Sequence, residues 1–268
     1  MNRFRITILM PVYNCDSTLS EALDSLIGQT YKHWKCVLCD DCSTDNTYKI
    51  AEDYCNRYSD KFILIKNDIN QGLNISLNNC LSYADTEYIA RMDGDDISVS
   101  ERLEKEIAFL DNNKKFDVVS CPMIYFDKAG EFRIGSVPEI PSAEQVVLGS
   151  CVCHGPSMTR TAAIKNVGGY SVGKKIMRVE DVDLWIKLYV NGSRFYNIQT
   201  PLYKMRDDRN AIKRRKYKYR INSTMVRLRG CNQLRLGFIC KIKCFSPMVI
   251  GLIPKPIYVL LHRRKKSS

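Results

Sequence analysis

Three carboxylates lie within four residues of one another in the run Asp-Gly-Asp-Asp at 93–96. Anions this close repel one another unless a proton or a cation relieves the repulsion. Because every ligand would be an oxygen atom, the favoured cation is Mg²⁺ or Mn²⁺ rather than Zn²⁺. Such ions are usually held by one or two carboxylates together with substrate phosphates, so the run predicts a metal site that receives a nucleoside diphosphate. A solvated acidic turn is the alternative interpretation.

The residues around this run alternate between patterns typical of strands and of helices over the first 96 positions. Four apolar runs predict buried strands, at 6–10, 34–39, 62–65 and 88–92. The first of these strands is expected to stop at Pro11. Apolar residues at helical spacing predict a helix after each of the first three strands. This alternation predicts an α/β fold with a mostly parallel central sheet and helices on both faces.

Polar residues follow three of the four predicted strands. They are the runs Pro-Val-Tyr-Asn at 11–14, Asp-Asp-Cys-Ser at 40–43 and Asp-Gly-Asp-Asp at 93–96. Open parallel sheets bind their ligands outside the carboxyl ends of the strands. The three runs are therefore expected to meet along one edge of the sheet, which favours a binding site over an isolated acidic turn.

Capping residues and apolar spacing indicate further elements. The run Thr-Leu-Ser-Glu at 18–21 fits a capping box for the first helix, and Ser43 or Asp45 can cap the second. Ser142 is expected to begin a short helix. The other expected elements are a helix at 102–110, strands at 117–126, 151–158 and 195–198, and a helix from 182 to about 190.

Positive charge is concentrated at the C-terminal end of the chain. The formal net charge is +12, and residues 203–268 carry 19 Lys and Arg against 2 acidic residues. Such asymmetry suggests nucleic acid or an anionic membrane surface as a partner. The apolar stretch at 245–261 contains three prolines that prevent a continuous membrane-spanning helix, so association with the membrane interface is expected.

The twelve cysteines do not suggest a disulfide framework. The N-terminal residues lack the pattern of a secretory signal, so we expect a reducing cytosol. Zinc ligation is conceivable at Cys36, Cys39 and Cys42, or at Cys151 and Cys153 next to His154. It is disfavoured because Cys36 and Cys39 lie within a predicted strand, whereas zinc ligands usually have paired spacings on loops.

Taken together, the motifs resemble those of the family 2 glycosyltransferases, inverting enzymes of the GT-A fold that use nucleotide-sugar donors. The matching runs stand at 11–14, 29–31, 40–45, 70–73, 93–96, 168–170 and 180–185. Their order and spacing agree with the family from residue 6 to about 205. The resemblance implies a GT-A domain at 1–205, with a nucleotide-binding half at 1–100 and an acceptor half at 101–205. Residues 206–268 would form a basic, membrane-associating segment.

The resemblance also implies roles for individual residues in donor binding. Asp41 would accept the uracil N3–H, unless it merely caps the following helix. Asp93 would contact the ribose side of the donor, and Asp95 would ligate Mn²⁺ or Mg²⁺. The wall around the base would be formed by Pro11, Tyr13 and Asn14. Asp96 receives no firm assignment.

Asp181 matches the family's catalytic base, which takes the proton from the attacking acceptor hydroxyl. Glu180 is a close rival, and both acids are also explained as charges favoured at a helix N-terminus. Arg206 stands where many members carry a histidine; a guanidinium cannot ligate a metal, but it can bind a diphosphate. His154 is interpreted as structural and is kept out of the catalytic set.

These features predict a metal-dependent hexosyl- or hexosaminyltransferase that uses a nucleotide sugar, with UDP favoured as the nucleotide. The acceptor would be a growing glycan or lipid-linked sugar in surface polysaccharide or lipopolysaccharide synthesis. The protein would be cytoplasmic and peripheral on the inner face of the plasma membrane. The alternative is a nucleic-acid-binding protein that uses the basic tail with Tyr217 and Tyr219. A nucleotidyltransferase is disfavoured because no glycine-rich basic loop follows the first strand.

Overall fold

The computed structural model describes residues 3–149, 151–207 and 216–252. The strands are β1 (Ile6–Val12), β2 (Trp34–Asp40), β3 (Phe62–Lys66), β4 (Tyr88–Arg91), β5 (Ile97–Ser98), β6 (Val118–Ser120), β7 (Met123–Asp127), β8 (Gly130–Ile134), β9 (Met158–Arg160), β10 (Phe195–Asn197) and β11 (Tyr203–Arg206). The helices are α1 (Asp16–Ile27), α2 (Thr47–Arg57), α3 (Leu73–Ser82), α4 (Arg102–Asn112), α5 (Ala143–Val147), α6 (Thr161–Asn166), α7 (Glu180–Val190), α8 (Tyr217–Gln233), α9 (Phe238–Lys243) and α10 (Ser246–Leu252).

The central sheet has seven strands in the order β10-β6-β9-β4-β1-β2-β3. Strand β1 is parallel to β2 and to β4, and β2 is parallel to β3. Only β9 among these strands runs antiparallel to its neighbours. The predicted α/β fold with a mostly parallel central sheet is confirmed. Because Val12 pairs with Asp40 and Leu9 with Arg91, the three polar runs leave the sheet along the same edge.

A second sheet of four strands, in the order β5-β11-β7-β8, lies beyond this edge. Strand β11 pairs antiparallel with β5, so that Tyr203 lies opposite Ser98. It also pairs in parallel with β7. Since β5 begins directly after the acidic run at 93–96, this sheet attaches Arg206 at the end of β11 to the acidic turn.

Hydrophobic clusters cover both faces of the central sheet. Alternate residues of β1 point to opposite faces, with Ile8 in one cluster and Leu9 in the other. Helices α1, α2 and α4 contribute buried residues to the cluster that contains Ile8. Helices α3, α7 and α8 contribute to the cluster that contains Leu9. Each fully buried Leu or Ile stabilises the fold by roughly 1.5–3 kcal/mol relative to an exposed one.

The predicted capping box at 18–21 is wrong. Helix α1 begins at Asp16, and no side chain caps it at Cys15. The Thr18 hydroxyl instead donates to the carbonyl of Gly94, 3.0 Å away, because the tertiary contact with the acidic turn competes with the local cap. Strand β1 also continues past Pro11, which pairs with Cys39. Strand β4 no longer pairs with β1 at that point, so the missing N–H of proline leaves no ladder bond unmade.

Two other strand predictions need correction. The predicted strand at 117–126 is divided into β6 and β7, which belong to different sheets. The predicted strand at 151–158 is wrong, because His154 lies in irregular backbone and β9 begins only at Met158. Strand β11 was not predicted. The cap at Ser142 is confirmed, since its hydroxyl accepts the N–H of Gln145 at 3.3 Å.

Helix α8, from the basic C-terminal part of the chain, packs against α7. Arg229 on α8 pairs with the fully buried carboxylate of Asp183 on α7. Gly230 lies against Ile186, where an added Cβ would come within 2.7 Å of the Ile186 side chain. No helix within 3–149, 151–207 and 216–252 is long and apolar enough to cross a membrane. The predicted membrane-associating segment lies partly outside the described residues, at 208–215 and 253–268.

Candidate active site

A cavity of about 620 Å³ opens at the carboxyl edge of the central sheet. Pro11 and Tyr13 from the end of β1, and Asp41 after β2, line one side of it. Residues 70–76 at the start of α3 and the segment 172–180 before α7 form further walls. Glu180 and Tyr219 also line it, so both α7 and α8 reach the cavity. Three of the predicted donor-site residues are therefore brought together.

The carboxylate of Asp41 is held by three hydrogen bonds. It accepts the backbone N–H groups of Gln71 and Gly72, each at 2.8 Å, and the side-chain amide of Asn67 at 2.7 Å. Gly72 has φ +87°, a conformation that favours glycine, and this places its N–H toward the carboxylate. A carboxylate offers about four acceptor positions, so one is left for a ligand. Asp41 is not the cap of α2, which is Asn46.

Asn14 connects two of the polar runs. Its backbone has φ 48°, in the left-handed region that asparagine tolerates better than most residues. The side-chain oxygen of Asn14 accepts the N–H of Thr44 at 2.9 Å, and its own N–H donates to the Ser43 hydroxyl at 3.1 Å. Asn14 thus fixes the loop after β1 to the loop after β2. It supports the wall of the cavity, which Tyr13 lines directly.

Asp93 is paired with an arginine from its own strand. The buried guanidinium of Arg91 donates to both carboxylate oxygens of Asp93, with an Nη2–Oδ1 distance of 2.6 Å. The backbone N–H of Asp93 also donates to the Tyr203 hydroxyl at 3.1 Å. One of the three negative charges in the run is therefore neutralised by the protein itself. Arg91 is a residue of the site that sequence reasoning missed.

Asp95 has no such partner. Within the described residues, no Lys, Arg or His forms an ion pair with its carboxylate. Partial desolvation, followed by the charge of Asp93, raises its pKa above the ordinary value of 3.8. Asp95 is exposed to solvent, and a carboxylate oxygen without an ion-pair partner suits a hard divalent cation such as Mg²⁺ or Mn²⁺. The predicted metal ligand Asp95 therefore has the chemistry to hold such an ion.

Asp96 and Arg206 connect the acidic turn to β11. Asp96 accepts the backbone N–H of Arg206 at 2.8 Å, and burial followed by the charges of Asp93 and Asp95 raises its pKa to about 8. The Arg206 guanidinium donates to the carbonyl of Asp95 at 2.9 Å and pairs with Glu21. Arg206 therefore lies beside the turn, as its predicted contact with the diphosphate requires. That contact itself stays a prediction.

Asp181 and Glu180 stand in the first turn of α7. Asp181 accepts the N–H of Val182 at 2.8 Å, and burial raises its pKa above 3.8 against the lowering effect of Arg91 and Arg227. The pKa of Glu180 is also raised, first by burial and then by the charge of Asp181. A carboxylate with a raised pKa is a stronger base, so either acid could accept a proton.

His154 is half-buried against Tyr170 and Trp185. Its Nε2 lies 2.9 Å from the Tyr170 hydroxyl, and its ring meets Trp185 edge-on. Burial, followed by the charge of Arg91, lowers its pKa well below 6.5, so the ring is neutral. These contacts agree with the structural interpretation drawn from the sequence.

Three further cavity residues were missed by sequence reasoning. Lys174 and Arg178 bring positive charge to the wall, and Tyr219 comes from the basic C-terminal part of the chain. Lys174 and Arg178 lie between residues 172 and 179, a stretch that carries no recognised motif. Arg178 has φ 66°, so the backbone is strained two residues before Glu180, the first acid of α7.

Comparison with known proteins gives a consistent result. The model of the family described as glycosyl transferase family 2 matches residues 7–168. EpsE of Bacillus subtilis (strain 168), a protein named as a glycosyltransferase, is 38% identical over 261 residues, which cover 97% of this chain and 94% of EpsE. The Escherichia coli protein WfaP, named as a UDP-Glc:alpha-D-GlcNAc-diphosphoundecaprenol beta-1,3-glucosyltransferase, is 30% identical over 193 residues. That match covers 72% of this chain and 73% of WfaP.

Solved structures share the fold. Residues 1–349 of Staphylococcus aureus TarS, in complex with UDP-GlcNAc, match with a TM-score of 0.70 at 20% identity. The match covers 91% of this chain and 70% of that one. The mannosyltransferase PcManGT from Pyrobaculum calidifontis, in complex with GDP-Man and Mn²⁺, matches with a TM-score of 0.62 at 17% identity, over 98% of this chain and 80% of that one.

Proposed function

This chain belongs to glycosyl transferase family 2, and from this premise we propose that it transfers a sugar from a UDP-sugar to a hydroxyl group of a lipid-linked or growing surface glycan. The observation that carries the proposal is the cavity itself. It extends from Asp41 to Glu180, the residue that precedes the candidate base Asp181 in the sequence. A donor that occupies this cavity would have its base at one end and its sugar near the other.

The preference for UDP rests on Asp41. Its one remaining acceptor position suits the N3–H of uracil, because a carboxylate can only accept hydrogen bonds. The printed names of two similar proteins agree with this choice, since WfaP is named for UDP-Glc and TarS was solved with UDP-GlcNAc. The WfaP name also describes a lipid-linked diphosphate acceptor, which supports the proposed acceptor class.

We propose that transfer depends on Mn²⁺ or Mg²⁺ held by Asp95. When bound, the cation would neutralise charge on the departing diphosphate, as a Lewis acid does. The protein's own part is to present an unpaired carboxylate at Asp95 while Arg91 neutralises Asp93. PcManGT, which shares the fold, was solved with Mn²⁺. Lys174 and Arg178 supply further positive charge at the cavity wall.

Asp181 is the proposed general base, with Glu180 as the rival. Its carboxylate would take the proton of the acceptor hydroxyl while that oxygen attacks the anomeric carbon from the face opposite the diphosphate. This single displacement inverts the configuration of the sugar. The raised pKa of Asp181 favours proton acceptance.

Binding of UDP-, GDP- and dTDP-sugars to the purified chain, measured by calorimetry with Mn²⁺ and with EDTA, tests this proposal. We expect binding of at least one UDP-sugar that weakens when Mn²⁺ is removed. The GDP- and dTDP-sugars serve as matched ligands that carry the same diphosphate. If no nucleotide sugar binds in the presence of Mn²⁺, the proposal is wrong.

We further propose that the protein acts at the cytoplasmic face of the plasma membrane and docks there through α9. Phe238 and Ile239 are 77% and 70% exposed, and Ile242 is also exposed. Lys241 and Lys243 stand among them, which is the composition suited to an anionic lipid interface. Sedimentation with vesicles rich in phosphatidylglycerol should fall in a Phe238→Ser, Ile239→Ser variant and be unchanged in Ile134→Ser, which alters an exposed apolar residue on β8. Equal sedimentation of all three proteins would refute docking through α9.

The nucleic-acid alternative receives no support from the family assignment or from the relatives named above. Tyr219, one of the two tyrosines that suggested it, lines the cavity.

A further inference from the structure

Three cysteine thiols from the C-terminal helices meet in the protein interior. Cys231 lies on α8, Cys240 on α9, and Cys244 directly after α9. The Cys231 sulfur is 3.0 Å from that of Cys240 and 3.5 Å from that of Cys244. Each of the three residues is at most 5% exposed. Across the described parts of the chain, no other group of three His, Cys, Asp or Glu ligand atoms comes within such mutual reach.

We propose that these three cysteines bind one Zn²⁺ ion as thiolates, with a water molecule as the fourth ligand. Soft thiolate ligands select zinc over the hard cations that suit Asp95. Three thiolates at about 2.3 Å from a tetrahedral zinc ion lie about 3.8 Å from one another. The three sulfur atoms already lie within 4.8 Å of one another, so side-chain adjustments of less than about 1 Å would complete the site.

The charges around the cluster suit a zinc-thiolate group. A zinc ion with three thiolates carries one net negative charge. Lys241 favours the ionised form of Cys231, and Arg227 favours that of Cys244. Glu144 opposes ionisation of Cys240, but this carboxylate is paired with Lys243 at 2.7 Å. Because zinc binds the deprotonated form of cysteine, binding would displace the thiol protons into the buffer.

The mutual proximity of its sulfur atoms separates the cluster from the other buried cysteines. All buried cysteines of the described residues lie in hydrophobic clusters, where a thiol behaves as a small apolar group, but Cys36 and Cys121 belong to no such group of three ligand atoms. Helix α9 has six residues, and Cys240 is the only one of them that is buried. A zinc ion between α8 and α9 would therefore fix the short helix that carries the exposed residues Phe238 and Ile239.

Metal analysis of the full-length chain, purified under reducing conditions without added metal, tests the proposal. We expect about one Zn²⁺ per chain, and a thiolate-to-cobalt absorption band after exchange with Co²⁺. Cys240→Ser and Cys244→Ser should weaken Zn²⁺ binding by about 100-fold or more in competition with a chromophoric chelator. Cys55→Ser removes a partly buried thiol outside the cluster and should leave binding unchanged.

A second measurement covers the case in which the serine variants do not fold. Removal of Zn²⁺ from the wild-type chain by a chelator should accelerate hydrogen exchange in α9 and leave exchange in α1 unchanged. The proposal is overturned if the wild-type chain neither retains Zn²⁺ nor binds it on titration, or if chelation leaves α9 exchange unaltered. A Cys231–Cys240 disulfide in protein taken directly from cells, detected as a mass two daltons lower, would also overturn it.

Discussion

Two acidic turns follow parallel strands of the same sheet, and their carboxylates differ in how many hydrogen-bond and ion-pair partners the protein gives them. The Asp41 carboxylate after β2 is held by three hydrogen-bond donors. After β4, Arg91 neutralises Asp93, whereas Asp95 has no such partner and its pKa is raised. A carboxylate that the fold already satisfies is suited to orient a neutral donor such as a base N–H. One that the fold leaves unsatisfied is suited to recruit a cation. Asp181, whose pKa is also raised, belongs with Asp95 in this respect.

The largest effect is expected at Asp181, if unsatisfied carboxylates carry the chemistry. Asp181→Asn removes the proton acceptor and should lower the rate of sugar transfer by about 10³-fold, since general bases contribute roughly 10²–10⁴-fold. UDP-sugar binding should stay unchanged, because the residue does not hold the nucleotide. Transfer can be measured as UDP release and binding by calorimetry. Glu180→Gln is the matched control; the larger loss in that variant would assign the base to Glu180.

The Asp181 carboxylate should also determine how the rate of sugar transfer falls at acidic pH. Transfer requires the ionised carboxylate, so the rate should fall as the pH drops through a pKa that lies above the ordinary 3.8 of aspartate. A rate that is constant down to the ordinary pKa would contradict the raised value.

Asp95→Asn should lower transfer by about 10²-fold or more, because the cation's stabilisation of the departing diphosphate is worth several kcal/mol. The same variant should raise the Tm at neutral pH without metal. Folding raises the pKa of Asp95, so the ionised carboxylate destabilises the folded state at pH values above the ordinary pKa of aspartate. This destabilisation disappears as the pH falls through the raised pKa, because the carboxyl group becomes protonated. Mn²⁺ should raise the Tm of the wild-type chain but not that of Asp95→Asn. An equal Mn²⁺ response in both would remove Asp95 from the metal site.

Asp41→Asn should have the opposite effect on stability. An asparagine at this position replaces one acceptor oxygen by an NH₂ group where three donors converge, and a buried N–H without a partner costs about 1–3 kcal/mol. The Tm should therefore fall, by roughly 2–4 °C per kcal/mol. The KM for UDP-sugar should rise about 10-fold or more with a smaller change in kcat. A rise in Tm would show that the three hydrogen bonds to the Asp41 carboxylate do not stabilise the fold.

Much of the fold follows from local sequence patterns. The alternation of strands and helices through residue 96 is confirmed because apolar periodicity and parallel register are strong, short-range signals. Register alone places Asp41 and Asp95 on the same edge of the sheet. The capping box at 18–21 failed because Thr18 has a tertiary partner in Gly94, which a local rule cannot include.

The partners in the site were harder to predict. Arg91 directly precedes the acidic turn, but its apolar neighbours made it part of a strand pattern rather than a partner of Asp93. Lys174 and Tyr219 reach the cavity through a loop and a helix that are distant in sequence and carry no motif. The cysteine cluster joins residues from two helices at spacings unlike the paired ones that reveal most zinc sites.

The smallest effects are expected at Arg206, where the end of β11 contacts the acidic turn at 93–96 and Glu21. Arg206 donates to the Asp95 carbonyl and pairs with Glu21, whose side chain is 55% exposed. Exposed ion pairs contribute about 0–1 kcal/mol, so Glu21→Gln should change the KM for UDP-sugar by less than about twofold.

Arg206→Lys keeps the charge but loses the planar donor set, and it should raise that KM by about threefold. Initial-rate measurements of the two variants side by side separate the roles of Arg206. A larger effect from Arg206→Lys assigns it to the donor diphosphate, as the sequence predicted. Equal changes in KM would mean that Arg206 acts only by positioning the acidic turn through its ion pair with Glu21. In that case Arg206 would hold Asp95 in place without contacting the donor.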